Sequence, residues 1–188
     1  MVQILGKEVG ATGLGYMESV KTLKAAVDNG FLLWSGAEFY GGPEYNSMTL
    51  VKAYFLKYPE DAAKVVLCIK GGVKQGTHEL DSSAGGTRRS IDNILTQLGG
   101  TKKLAIWIPA RRDPKTPLDI TFKTAQEYIK GGQLGGIGLS EVGLQTLQEG
   151  IKAGRVEVAE LELSMFTSNL LRNGVGAACA ENGIPIMA

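Results

Sequence analysis

Four side chains able to move protons or hold charge stand close behind short apolar runs: Tyr40, Lys70, Arg111 and Ser140. A phenol with an ordinary pKa of ~10 and an ammonium of ~10.4 are both protonated at neutral pH, so either does acid–base work only where its surroundings shift it. Glu38, Glu160 and Glu162 add carboxylates. Glu160 and Glu162 are two residues apart, which in a strand places them on one face. A buried carboxylate is costly unless paired, so an inward-pointing face would be informative, but the spacing does not say which face it is. Trp34 and Trp107 suit either a flat apolar wall for an aromatic substrate or a core. His78, the single histidine, lies in a polar loop, either solvated or folded over a site. Arg111 either binds a ligand or pairs with Asp113. Ser140 with Glu141 suits either a ligand contact or the cap of a following helix.

Other chemistry finds little support. The two cysteines, Cys68 and Cys179, form no CxxC, and no Cys/His spacing suits zinc, so no metal is expected. Cys68 sits in the apolar run 65–69 and reads as a buried thiol. The N-terminus lacks a basic segment followed by an apolar stretch, and no run approaches ~20 apolar residues, which reads as a cytoplasmic protein without signal peptide or membrane span. The formal net charge is +1 and no charged block is long, so neither nucleic acid nor an anionic membrane is expected as partner. At 188 residues, 44% hydrophobic and 21% charged, the chain is long enough for one domain with a real core.

The elements that must position these residues alternate in kind. Residues 2–5 and 7–11, meeting at Gly6, predict a hairpin. Strands are predicted at 12–17, 31–35, 65–70, 104–108, 136–140 and 156–163. Between them, 3.6-residue periodicity predicts helices at 18–29, 44–57, 87–98, 117–130, 142–153 and 169–182, several stopped by glycine. Residues 71–86 read as a polar, glycine-rich loop. Alternating strands and helices imply βαβ units and a parallel sheet, and strands that are apolar throughout imply burial on both faces. A doubly wound sheet and a β/α barrel both fit. There is no GxGxxG at a strand–helix junction and no GxxxxGK[ST].

Three segments resemble the aldo-keto reductase family, with a flavour close to its fungal pyridoxal-reductase-like branch. Gly36-Ala37-Glu38-Phe39-Tyr40-Gly41 is similar to the family's loop carrying the proton-donating Tyr. Ile69-Lys70-Gly71-Gly72 is similar to the strand end whose Lys lowers that Tyr's pKa. Gly136-Ile137-Gly138-Leu139-Ser140-Glu141 is similar to the strand end where Ser and its neighbour hold the nicotinamide carboxamide. Arg111-Arg112-Asp113-Pro114 and residues 158–166 fit in order and spacing. The resemblance implies an α/β fold: an incomplete TIM-type (β/α) barrel of about seven parallel strands and six helices with an N-terminal hairpin, lacking the eighth βα unit. Barrel sites lie at the C-terminal ends of the strands, where Tyr40, Lys70, Arg111 and Ser140 are predicted to be.

Two departures bear on chemistry. The family's catalytic Asp and His positions align to Ser35 and Ala110. Residues 184–188 resemble the seventh strand, and the elements that hold the pyrophosphate and the 2′-phosphate of NADPH have no counterpart in the sequence. The first reading is therefore a cofactor-independent acid–base, isomerisation or cyclisation catalyst of a small carbonyl substrate. In it Tyr40 is the acid, Lys70 tunes it, and Trp34, Glu38, Trp107, Arg111, Glu160 and Glu162 shape the substrate pocket. The alternative is an NADPH-dependent aldehyde or ketone reductase of pyridoxal type, with Ser140 and Glu141 on the cofactor. A third reading is a non-catalytic protein. An open barrel exposes apolar core and two unpaired strand edges, which predicts a homo-oligomer that covers the gap, the alternative cover being a rearranged N-terminal hairpin.

Overall fold

Seven strands lie side by side in the order in which they occur in the sequence, every neighbouring pair parallel. The computed structural model describes residues 2–9, 14–15, 20–42, 44–74, 76–77 and 79–188. A hairpin of β1 (Val2–Ile4) and β2 (Lys7–Val9) comes first. There follow β3 (Leu14–Gly15), α1 (Val20–Asp28), β4 (Leu33–Ala37), α2 (Ser47–Lys57), β5 (Val66–Gly71), α3 (Ala84–Leu98), β6 (Leu104–Pro109) and α4 (Leu118–Lys130). β7 (Leu134–Ser140), α5 (Leu144–Ala153), β8 (Val158–Glu160), α6 (Val175–Glu181) and β9 (Ile186–Met187) complete the order. β3 and β9 are the two ends of the sheet, so the observed fold is the predicted incomplete β/α barrel.

Alternation along each strand divides the side chains into two layers. Trp34, Leu67, Ile69, Trp107, Ile137, Leu139 and Ala159 face outward and form a buried layer with helix residues such as Val51, Ile91, Phe122 and Leu147. Leu33, Val66, Cys68, Ile106, Ile108 and Val158 face inward and pack with Ile4 of the hairpin, which is 2% exposed and closes one end of the interior. Glycine on β7 makes room for this packing: a Cβ on Gly138 would lie 2.9 Å from both Ile108 Cγ1 and Val158 Cγ1. These inward residues are all buried. Exposed apolar side chains include Met165 and Phe166 after β8, Ile186 on β9, Leu56 on α2 and Leu171 before α6.

Caps explain where α2 and α3 start. Asn46 accepts from the backbone of Met48 and Thr49 while Thr49 Oγ1 accepts from Asn46 N, a reciprocal cap that begins α2. Ser83 Oγ accepts from Gly86 N, so α3 begins three residues before the predicted 87. The predicted helix 169–182 is split: a 3-10 turn at Asn169–Leu171 precedes α6, and Gly174 between them has φ +83°, outside the right-handed helical region. The predicted strand 156–163 shrinks to three residues. Most of the predicted strand 12–17, the junction at 17–19 and His78 lie outside the described residues.

Lys102, just before β6, is buried and donates to Ala62 O at 2.6 Å and Val65 O at 2.7 Å. Burial, with Lys7 nearby, pushes its pKa down to about 8. Its folded value lies below the unfolded one, so the fold binds this proton more weakly than the unfolded chain does. The contribution to stability is therefore least favourable below pH 8 and improves as pH rises toward the unfolded value. Urea unfolding of wild type should show a gain on the order of 1–2 kcal/mol between pH 8 and 9.5 that Lys102→Met lacks. Identical pH dependence in the two proteins would refute this.

Candidate active site

The inward residues change from apolar to polar at the C-terminal ends of the strands. β4 contributes Ser35, β5 Lys70, β7 Ser140 and β8 Glu160. Lys70 is 6% exposed, and its ammonium pairs with Glu160 Oε1 and donates to Ser35 Oγ at 3.2 Å. Ser35 Oγ in turn donates to Glu160 Oε2 at 2.8 Å. β4, β5 and β8 thus meet in one closed network across the concave face. Three groups share one charge pair, which is how a buried ammonium is made tolerable. Cys68 lies one inward position below; burial first, then the Glu160 charge, pushes its thiol pKa up and keeps it protonated.

Tyr40 stands in the loop after β4, 38% exposed, with Lys70 Nζ 5.4 Å from its ring centroid and Phe39 edge-on at 5.2 Å. The predicted Tyr40–Lys70 neighbourhood is present. Yet the ammonium's hydrogen bonds go to Ser35 and Glu160, and it meets the phenol through the ring.

Glu38 does not face this site. Its side chain is fully buried on the other side of the loop, where Oε1 accepts from Gly72 N and Oε2 from Asn93 Nδ2, both at 3.1 Å, with Arg89 Nη2 at 3.6 Å. It ties the Tyr40 loop to the Lys70 loop and to α3, so it is a structural anchor and not a substrate ligand. Trp34 and Trp107 are also corrected. Both are fully buried in the outer layer, Trp34 against Tyr54 and Phe55, and Trp107 donating from Nε1 to Ser90 Oγ at 3.0 Å. Their strand parity points them at the helices, so they are core and no wall of the pocket. Glu162 lies beyond β8 and is exposed, separated in environment from Glu160.

Arg111 is exposed at the rim, with Nη1 2.7 Å from Ala110 O and 3.4 Å from Ser140 Oγ. The Asp113 carboxylate is taken up by Ser82 N, Lys115 N and Thr116 Oγ1, which leaves Arg111 facing Ser140. Ser140 does not cap α5, whose N-cap is Gly143. Glu141 is exposed with φ +49°, and its N–H donates to Glu160 O at 2.9 Å. Ala110 is buried, and its N–H donates to Gly71 O at 2.9 Å, holding the end of β6 to β5. Ser35 acts here as the bridge between cation and carboxylate, a role that sequence reasoning missed.

The donor set can be tested against a nicotinamide dinucleotide. Ser140, buried beside Arg111, suits the carboxamide end. A diphosphate calls for a nest of backbone N–H groups with free cations beside it. The strand ends around Ser140 carry Glu141, Glu160, Leu161 and Glu162, and the cation there, Arg111, already donates to Ala110 and Ser140. Among the described residues this composition does not fit the diphosphate half.

Comparison with known proteins agrees with this architecture. The thermostable aldo-keto reductase solved with the inhibitor epalrestat superposes with a TM-score of 0.81 over 97% of this chain and 69% of that one, at 21% identity. The glycerol dehydrogenase of Gluconobacter oxydans superposes with a TM-score of 0.83 over 100% of this chain and 62% of its own, at 19% identity. In sequence, the "Probable pyridoxal reductase 2" of Schizosaccharomyces pombe is 31% identical over 97% of this chain and 59% of its own length. A Saccharomyces cerevisiae protein also named for pyridoxal reductase is 33% identical over 80% of this chain and 45% of its own. The chain thus spans about half the length of these relatives. The family model of the aldo/keto reductases matches residues 6–188, and with strand order and relatives in agreement, the chain belongs to the aldo/keto reductase family.

Proposed function

We propose that this chain activates the carbonyl group of a small aldehyde, with Tyr40 giving a proton to the carbonyl oxygen and Lys70 favouring the phenolate that remains. The observation that carries this reading is the ammonium fixed 5.4 Å from the Tyr40 ring at the open end of the strands, where Tyr40 is also accessible. A proton donor placed on the oxygen stabilises the charge that develops there. Ser140 and Arg111 line the adjoining rim and would bind a polar substituent. Pyridoxal is the aldehyde that the relatives' names suggest.

Two outcomes of that activation differ in the next bond change: hydride adds to the carbonyl carbon in reduction, whereas in proton chemistry an α-proton leaves to a base, water or a carboxylate, as the oxygen is protonated. Reduction needs hydride from NADPH, and the relatives' names favour it. Proton chemistry alone, such as enolisation, isomerisation or cyclisation, is favoured by the acidic and apolar strand ends around Ser140. The reading extends to a cytoplasmic protein, consistent with two buried free cysteines, and to an oligomer covering β9. Among the described residues no helix is long and apolar enough to cross a membrane.

One sample decides among these. NADPH is titrated by fluorescence, pyridoxal reduction is followed as NADPH loss, and α-proton exchange into deuterium oxide is followed by NMR with simple ketones and no cofactor. Light scattering on the same sample gives the oligomeric state. Saturable NADPH binding with pyridoxal turnover is expected if reduction is the outcome, and exchange alone if it is not. Neither activity in a folded protein would defeat the proposal.

A further inference from the structure

We propose that Glu160 is the counter-ion that holds Lys70 beside Tyr40 and sets how strongly the ammonium acts on the phenol, making it a positioning residue delivered from the far side of the half-barrel. The inference rests on Tyr40 and Lys70 being the reactive pair.

The geometry points there in three ways. Lys70 is almost wholly buried, and a buried ammonium without an opposite charge is costly: Lys102, held by carbonyls alone, has its pKa pushed down to about 8. The strands beside Lys70 do not supply such a charge: Ala37 on β4 and Ile108 on β6 are its Cα partners in the sheet. Glu160 reaches it from β8, three strands along the sheet, and contacts Lys70 through one oxygen and Ser35 Oγ through the other. Both carboxylate oxygens are used, so the head group is fixed and not merely near. Glu162, on the same chain two residues on, is exposed and makes no such contact, which shows that the bond is specific to this position.

The electrostatic consequence follows from the pairing. An isolated ammonium beside a phenol favours phenolate, whereas an ammonium paired with a carboxylate presents a dipole whose effect on the phenol is weaker. The titratable groups that contact or act on the pair are Tyr40 itself, Cys68 and Lys70 on β5, and Glu160 on β8, with Glu141 exposed beside them and its N–H donating to Glu160 O. Glu38 is turned to α3, and Arg111 is turned to Ser140. Cys68 is held protonated by burial and adds no charge. Glu160 is therefore the group that tempers Lys70. Ser35 Oγ, 3.2 Å from Lys70 Nζ, marks a second place from which a carboxylate would reach the ammonium.

The test reads Tyr40 directly by ¹³Cζ-tyrosine NMR, with the resonance assigned by Tyr40→Phe. Glu160→Gln keeps shape and removes the charge, and should lower the Tyr40 pKa by about one unit. Adding Ser35→Asp to that variant should return it toward wild type. The double variant Lys70→Met/Glu160→Gln removes both charges and should leave Tyr40 within about half a unit of wild type, which keeps the test open if the single variant does not fold. No change or a rise with Glu160→Gln, or a rise of about a unit or more in the double variant, would overturn the inference. Because the readout is a titration and not turnover, loss of the carbonyl reading would show as expected shifts without activity.

Discussion

Tyr40→Phe should lower carbonyl turnover by about 10²–10⁴-fold, the range over which a positioned general acid contributes. The hydroxyl is the group removed. Tyr40 is partly exposed in a loop, and its contacts with Phe39 and Lys70 are made by the ring, which phenylalanine keeps. Thermal stability should therefore stay close to wild type, so lost activity could not be assigned to unfolding. The loss should fall in kcat with KM little changed, because the proton is needed in the transition state more than in binding. Comparable loss in KM alone would assign Tyr40 to substrate binding, and wild-type turnover would remove it from the mechanism.

Trp107→Ala should destabilise the protein by about 3–5 kcal/mol, the usual cost of emptying a buried aromatic site. For a chain of this length that corresponds to a fall in Tm of roughly 10 °C or more. Two effects add. The outer layer loses its packing between β6 and α3, and Ser90 Oγ loses one of the two donors that it accepts from, Trp107 Nε1 and Gly72 N. Trp107→Phe should cost much less, because Gly72 N continues to donate to Ser90. KM for any carbonyl substrate should not move in Trp107→Phe. A folded, stable Trp107→Ala protein with raised KM would return this residue to the pocket wall from which its strand parity excludes it.

The case of Trp107 shows what the sequence could and could not convey. Strand and helix order was legible, because apolar runs such as 65–69 and helical periodicities such as that of 142–153 announce themselves locally. Fold class followed from their alternation. The direction of a side chain on a strand buried on both faces is not local information. Trp34 and Trp107 are apolar among apolar neighbours, and nothing in the run says which face meets helices. Glu160 and Glu162 looked equivalent by spacing, and only the early end of β8 separates them. The cap of α3 was hidden because Ala84-Gly85-Gly86 reads as loop, whereas Ser83 makes it the first turn of a helix. Tyr40 and Lys70 were legible through family resemblance. Ser35 was seen only as a departure from it, because its role depends on a carboxylate 125 positions away.

The strands of the sheet follow one another in sequence order, and this bears on how the site comes into being. Each new strand pairs with the one made just before it, so the sheet can lengthen at one edge as the chain emerges, with only short excursions to close. The Lys70–Glu160 bond is of another kind, joining positions 90 residues apart across the growing curve. It cannot form until β8 has been added. Until then the Lys70 ammonium lacks this counter-charge, and the Lys70–Tyr40 neighbourhood acquires its final electrostatic balance among the last events of assembly.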